Sequence, residues 1–341
     1  MELGGKTPLE AGFRMPAEWM PHARCWMAWP CRESLWGEAF TEAQLAYARV
    51  AQAIASFEPV TMIALPGSAE QAARLCGRAV DVFPLDIDDS WTRDSGPCFL
   101  KAADGSLAAT AWHFNAWGGK EKSYDQDAQL ARRLCSHLGF PCFQSPLYFE
   151  GGGVHVDGEG TILTTESCVL NPNRNPGLSK REIERELCHA LGGSKVLWLP
   201  GELSQEDATD GHVDGLACFV RPGVVLLEVA TDPAQPRYKV LQENRRALEG
   251  ATDARGRSIE IIPIEEAWQA EPERKGFCRS YINFYVANGG MILPRYGLAG
   301  DARVFSLVER LYPGRKVVQI DINTIALGGG GIHCITQQQP A

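Results

Sequence analysis

The strongest constraint on this chain is the way strand and helix signals take turns along it. Short runs rich in β-branched and aromatic residues fall at 60–65, 80–84, 160–164, 196–199, 216–220, 224–228, 258–263, 281–286, 291–294 and 317–320. Segments with helical spacing of apolar residues lie among them. Residues 42–57 are rich in Ala, Gln and Glu. Residues 179–191 open on Ser179 with Glu182 three positions later and stop at Gly192-Gly193, which marks a helix capped at both ends. Shorter helices are predicted at 69–76, 125–138, 239–248 and 302–312. Alternation over the whole length predicts an α/β fold. No long linker or low-complexity tract divides it, so residues 1–341 read as one domain.

A second pattern is laid over the first. Glycine-flanked polar loops follow strand signals at 91–97, 150–153, 210–215, 288–290 and 328–334. Glycine lets backbone and polar side chains approach a ligand closely. Five such loops, spread along the chain, are candidates to converge on one centre. With 35 glycines in the chain, some clusters are also expected as ordinary turns.

Composition narrows the function classes. The formal net charge is -9 and no basic stripe is present, which argues against a nucleic-acid binder and suits a cationic small substrate. The longest apolar stretches are far too short to span a bilayer. The N-terminal segment has no basic start followed by an apolar run, so no signal peptide is expected. The eleven cysteines are scattered without a C-x-x-C pair, which predicts reduced thiols in the cytoplasm.

Four segments carry candidate chemistry. In GGGGIHCITQQQP, Cys334 follows four glycines, as a nucleophile brought into a crowded site would; a buried structural thiol after a turn fits the same residues. His333, next to it, is expected on the opposite face of a strand and so a poor partner. In TDGHVDG, His212 and Asp214 project to one side of an extended segment, as an acid–base group beside a carboxylate. In DDSWTRDSGP, Asp88, Asp89 and Asp94 surround Trp91, a sensible receptor for a flat guanidinium or, equally, a solvated acidic turn. In YFEGGGVHVDGEG, Glu150 stands before three glycines, where it would orient the histidine or hold substrate. His155 and Asp157 repeat the H-x-D spacing of His212 and Asp214, so these residues alone leave a metal site open. No phosphate-binding loop or dinucleotide fingerprint is present.

Taken in order, GFRMPAEWMPH, WMAWP, WTRDSGP, NAWGG, EGGGVHVDGEGTILTTESCVLNPNRNP, DGHVDGLACFVRPG, SYINFYVANGG and GGGGIHCITQQQP resemble the agmatine deiminase family. That family lies within the guanidino-group-modifying superfamily and is related to peptidyl-arginine deiminases. The resemblance implies a five-bladed, pseudo-fivefold α/β propeller of ββαβ modules with the active site in its central channel. It implies no metal and no organic cofactor, a small cationic guanidine as substrate, and a homodimer or higher homo-oligomer. It implies hydrolysis of agmatine to N-carbamoylputrescine and ammonia, with Cys334 as nucleophile, His212 as acid and base, Glu150 steering the histidine, Asp94 and Asp214 gripping the guanidinium, and Trp91 and Asp88 lining the substrate. The chain departs from the family at Gly331, where Asn is usual, at Gly153, where Ser is usual, and in a short segment at 120–126. These departures predict a roomier pocket and keep open a deiminase or amidinotransferase for another guanidine.

Overall fold

Among the described residues, five small sheets share one construction: two antiparallel strands, then a helix, then a strand parallel to the second. The computed structural model describes residues 5–202, 208–271 and 275–341. The first four residues of the N-terminal reading above lie outside it. A tight turn can join antiparallel neighbours, whereas a parallel neighbour requires a crossover, which here is the helix.

Cys98–Ala102 and Leu107–His113 pair antiparallel, helix Asp127–Leu138 crosses over, and Cys142–Tyr148 lies parallel to the second strand. Phe13–Arg14 adds an outer antiparallel edge. The order repeats with Val154–Val156, Thr161–Thr165, helix Lys180–Leu191 and Lys195–Leu199. It repeats with Ala217–Arg221, Val224–Val229, helix Tyr238–Leu248 and Glu260–Glu265. It repeats again with Tyr285–Ala287, Gly290–Arg295, helix Gly300–Leu311 and Lys316–Asp321. The fifth sheet joins the two ends of the chain. Thr336–Pro340 pairs antiparallel with His22–Ala28, helix Phe40–Ala55 follows, and Val60–Ala64 lies parallel; helix Ala69–Cys76 then leads to Val80–Pro84.

Local chemistry explains where elements begin and stop. Ser179 accepts the backbone N–H of Glu182, and the Glu182 carboxylate takes the Ser179 N–H, so two orphan donors are satisfied reciprocally. Gly192 ends that helix in the left-handed region at φ 70°, which side chains with a Cβ rarely adopt. Every residue of Val224–Val229 is buried, as expected for a strand covered on both faces.

One arrangement positions the site. The segment just before the first strand of each sheet is a loop or short turn: residues 91–97, 150–153, 210–216, 280–284 and 328–335. Four of these match the polar loops expected from sequence. The fourth sheet differs. Residues 288–289 form the hairpin turn of that sheet and Gly290 opens its second strand, with Asn288 tied to His22 and Glu58. The strand expected at 281–286 is confined to Tyr285–Ala287. Residues 281–284 leave the sheet because Ser280 Oγ takes the Ile282 N–H and Asn283 turns its amide toward Cys334.

Candidate active site

Gly152 marks where the loops meet. A Cβ built on it would lie 2.6 Å from His212 Nδ1, 2.7 Å from Asp94 Oδ1 and 3.0 Å from Asp214 Oδ2. Three polar groups from three loops therefore surround one backbone position, and only glycine fits there. The Gly152 N–H also donates to Asp94 Oδ1 at 3.0 Å. Cys334 joins through Asp214, whose Oδ2 is 3.5 Å from Sγ. Asn283 completes the set: its Nδ2 donates to Cys334 Sγ at 3.2 Å, and its Oδ1 accepts the Cys334 N–H at 3.2 Å. All of these side chains are buried.

The His212 imidazole is held from one side and left open on the other. Its Nε2 faces Glu150 Oε2 at 3.2 Å. Its Nδ1 is buried, has no hydrogen-bond partner among the described residues, and lies 3.6 Å from Asp94 Oδ1. Burial pulls the proton affinity of this ring down, but Asp94, Cys168 and Glu150 outweigh it, so the imidazolium persists well above the ordinary histidine range. Burial pushes the Cys334 thiol well up, and Asp214, Cys278 and Asp94 push it further. The free site thus holds a protonated imidazole and a neutral thiol. A bound cation would reverse the pressure on the thiol, because opposite charge favours the thiolate.

The sequence candidates are placed unequally. Cys334, His212, Glu150, Asp94 and Asp214 are brought together. Asp88 is not among them: its carboxylate accepts the N–H groups of Gln126 at 2.7 Å and Asp127 at 3.3 Å, and so caps the helix that follows. Trp91 is buried in a stack on Trp36, with ring centroids 6.0 Å apart, and its ring fills the space beside Gly330. His333 corrects the expectation made of it. It sits in a turn, since the strand starts only at Thr336, and its Nδ1 reaches Asp214 Oδ2 at 2.9 Å. The two glycine departures do not themselves leave open space. A Cβ at Gly153 would meet the Phe149 ring at 2.5 Å, and one at Gly331 would meet Asn283 Oδ1 at 2.6 Å, so neighbouring side chains occupy both places.

The paired H-x-D metal reading fails on direction. Asp157 turns back onto its own loop, accepting from Glu159, Thr161 N and Thr161 Oγ1. His155 Nδ1 accepts the Phe219 N–H, and its Nε2 faces Glu18. Among the described residues, Glu150, Cys168 and His212 do bring ligand-type atoms close together. However, Arg174 Nε sits 2.8 Å from Glu150 Oε1, and His212 uses Nε2 on the same carboxylate. A second cation there would face the guanidinium.

Sequence reasoning set His333 aside and missed Asn283, Glu18, Arg174 and Trp117. Arg174 is buried between Glu150 and Asp210, 3.0 Å from the latter. Trp117, in the left-handed region at φ 54°, donates Nε1 to Asp94 Oδ2 at 2.9 Å. Each stands inside a quoted motif, yet none belongs to a recognisable catalytic spacing.

The profile of the Porphyromonas-type peptidyl-arginine deiminase family matches residues 14–340. This chain belongs to that family. Within it, similarity extends over whole chains. An agmatine deiminase of Pseudomonas aeruginosa (strain LESB58) is 42% identical, covering 98% of this chain and 97% of its own. One from Medicago truncatula is 40% identical, covering 98% of each. The solved structure of Enterococcus faecalis agmatine deiminase superposes with a TM-score of 0.94 at 35% identity, again covering 98% of each chain. The family's sheets and loops are therefore aligned here from end to end. Among the described residues no helix is long and apolar enough to cross a membrane.

Proposed function

We propose that this chain is an agmatine deiminase, hydrolysing agmatine to N-carbamoylputrescine and ammonia through a thioether on Cys334. The observation that carries the reading is the gathering of an imidazole and two carboxylates around Gly152, with the Cys334 thiol on one of those carboxylates, Asp214. The full-length likeness to agmatine deiminases supports it. Five sheets of one construction, closed by the pairing of Thr336–Pro340 with His22–Ala28, support a five-bladed propeller with these loops at its centre.

Asp94 and Asp214 grip the guanidinium nitrogens, since a carboxylate accepts parallel N–H bonds from a planar fork. Their grip holds the guanidinium carbon against sulfur, a gain of positioning. As the cation enters, Cys334 releases its proton to solvent, and the thiolate adds to that carbon, its electron pair forming the C–S bond while the guanidinium charge is neutralised. His212 gives its proton to one nitrogen, and ammonia departs, leaving the amidino-thioether. The neutral imidazole then takes a proton from water as its oxygen adds to the same carbon. The C–S bond breaks, its electron pair returning to sulfur; the hydroxyl proton of the product passes back to the thiolate, so the neutral urea product forms and the resting thiol is restored. Glu150, fixed by Arg174, holds the ring through Nε2. The arginines beside the site aim at carboxylates: Arg93 at Glu18, and Arg174 at Glu150 and Asp210. That favours a guanidine without a carboxylate of its own, and so agmatine over arginine.

The test is incubation of pure protein with agmatine, arginine and a panel of other guanidines, reading ammonia and carbamoyl product. Turnover of agmatine that is lost in Cys334→Ala is expected. Absence of agmatine turnover while another guanidine reacts would refute the substrate, and transfer to an added amine without ammonia release would point to an amidinotransferase.

A further inference from the structure

Behind the reacting groups lies a layer of charge that the steps above leave unused. His333 Nδ1 is 2.9 Å from Asp214 Oδ2, and its Nε2 is 2.7 Å from Glu18 Oε1. Both partners are carboxylates, which when ionised only accept, so a ring holding both bonds carries two N–H groups and a positive charge. Glu18 also faces Arg93 Nη1 and His155 Nε2, each at 3.5 Å. His155 is neutral on the same logic. Its Nδ1 accepts the Phe219 N–H at 3.2 Å, which leaves its proton on Nε2, toward Glu18. The buried set then balances, with Glu18 and Asp214 negative and His333 and Arg93 positive, as buried charges require.

The balance matters because of what Asp214 touches. Its Oδ2 serves His333 and also lies 3.5 Å from Cys334 Sγ. A thiolate formed there stands beside a carboxylate, and like charges so placed oppose one another's ionisation. A positive ring on the same oxygen relieves that conflict. We infer that His333 is a positioning residue: strung as an imidazolium between Glu18 and Asp214, it neutralises Asp214 and lets that carboxylate and the sulfur of Cys334 be anionic together. The inference rests on Cys334 being the nucleophile proposed above.

The charged groups facing the ring are Asp214 from the 213–215 turn, Glu18 from the N-terminal segment, and Arg93, whose Nε donates to the His333 carbonyl at 3.3 Å. Burial and Arg93 pull the proton affinity of His333 down; Glu18 and Asp214 outweigh them, and the result lies above the ordinary range. Glu18 is pushed up by burial yet held well below the usual carboxylate range by the charges of His333 and Arg93 and by the N–H of His155. Asp214, likewise pushed up by burial, is brought down by His333, His212 and Arg93.

Two measurements test the role without any guanidine. In protein labelled with nitrogen-15 at histidine, long-range proton–nitrogen spectra at neutral pH should show a ring protonated on both nitrogens that disappears in His333→Asn. A neutral His333 ring overturns the inference. The second is the pH dependence of iodoacetamide alkylation of Cys334, read by mass spectrometry on its peptide. His333→Asn keeps a donor toward Asp214 but carries no charge. Its alkylation midpoint should rise by about one pH unit or more, a rate roughly tenfold lower at neutral pH. Glu18→Gln should shift it the same way by less. Midpoints unchanged in both variants overturn the inference; if His333→Asn does not fold, the wild-type ring spectrum and Glu18→Gln decide. A wrong substrate would leave both readouts intact, whereas full turnover by Cys334→Ala would fail the nucleophile assignment instead.

Discussion

Arg174 Nε meets Glu150 Oε1 at 2.8 Å, and neither side chain has any exposure to solvent. The pair supports catalysis indirectly, since the second Glu150 oxygen holds His212 Nε2 at 3.2 Å. Removing one member of a buried pair leaves an uncompensated charge, which costs about 3–5 kcal/mol. Arg174→Met should therefore lower stability by that order in urea unfolding and abolish most turnover. Adding Glu150→Gln to it should restore much of the stability and none of the activity. A single mutant as stable as the parent would show that the pairing contributes nothing.

Gly152 makes a sharper claim about the site itself. Alanine there would press on His212, Asp94 and Asp214 together. The displacement falls on the reacting geometry, where misplacement by about 1 Å can cost on the order of a hundredfold in rate. Gly152→Ala should lose activity on that scale with at most about 1–3 kcal/mol of destabilisation from overpacking. Gly67→Ala is the matched control, because a Cβ there meets nothing within 4 Å. Equal kinetics for the two variants would refute the convergence at Gly152.

Legibility in the sequence followed the range of the interactions. Helices with strong local signals stood out, as in the predicted 69–76, which forms Ala69–Cys76, and 179–191, which forms Lys180–Leu191 behind its Ser179 cap. The strands Cys98–Ala102, Leu107–His113 and Thr336–Pro340 were missed because their sequences, CFLKA, LAATAWH and TQQQP, lack a run of β-branched residues. The first two pair with each other across a short turn, and the third is made a strand by a distant partner, with Gln337 opposite Trp26. The site divides the same way. Cys334, His212 and the carboxylates were visible as reactive types in glycine-rich loops. Asn283 and Glu18 were not, since an amide in SYINFYV and a carboxylate in PAEW acquire meaning only when remote segments bring Cys334 and His333 to them. Asp88 misled for the converse reason: its acidic loop was read as a receptor, while two backbone N–H groups of the next helix claim it.

The capping box at Ser179 tests a local term isolated from the chemistry. Ser179→Ala removes the acceptor for the Glu182 N–H and the partner of its carboxylate. Losing such a cap costs about 1 kcal/mol. Thermal unfolding should shift down by a few degrees, while kcat and KM stay at parental values. A change in kcat would mean that helix Lys180–Leu191 is coupled to the site.

Asp127 should make stability depend on pH. It is buried at the start of helix Asp127–Leu138, with Oδ1 accepting the Asp88 N–H at 2.9 Å. Burial pushes its carboxyl up to about 8; the Asp88 N–H and Arg32 pull against that shift, and the charges of Asp89 and Asp88 reinforce it. Between the ordinary value of 3.8 and about 8, the folded chain keeps a proton that the unfolded chain has released. Stability therefore falls as pH rises through that window, by up to about 1.4 kcal/mol per pH unit. Asn keeps the accepting oxygen and cannot ionise. Asp127→Asn should match the parent near pH 4 and exceed it increasingly toward pH 8, as followed by urea unfolding across the range. Parallel stability curves for the two proteins would mean that Asp127 is ionised in the folded state and that the burial penalty is met by its neighbours.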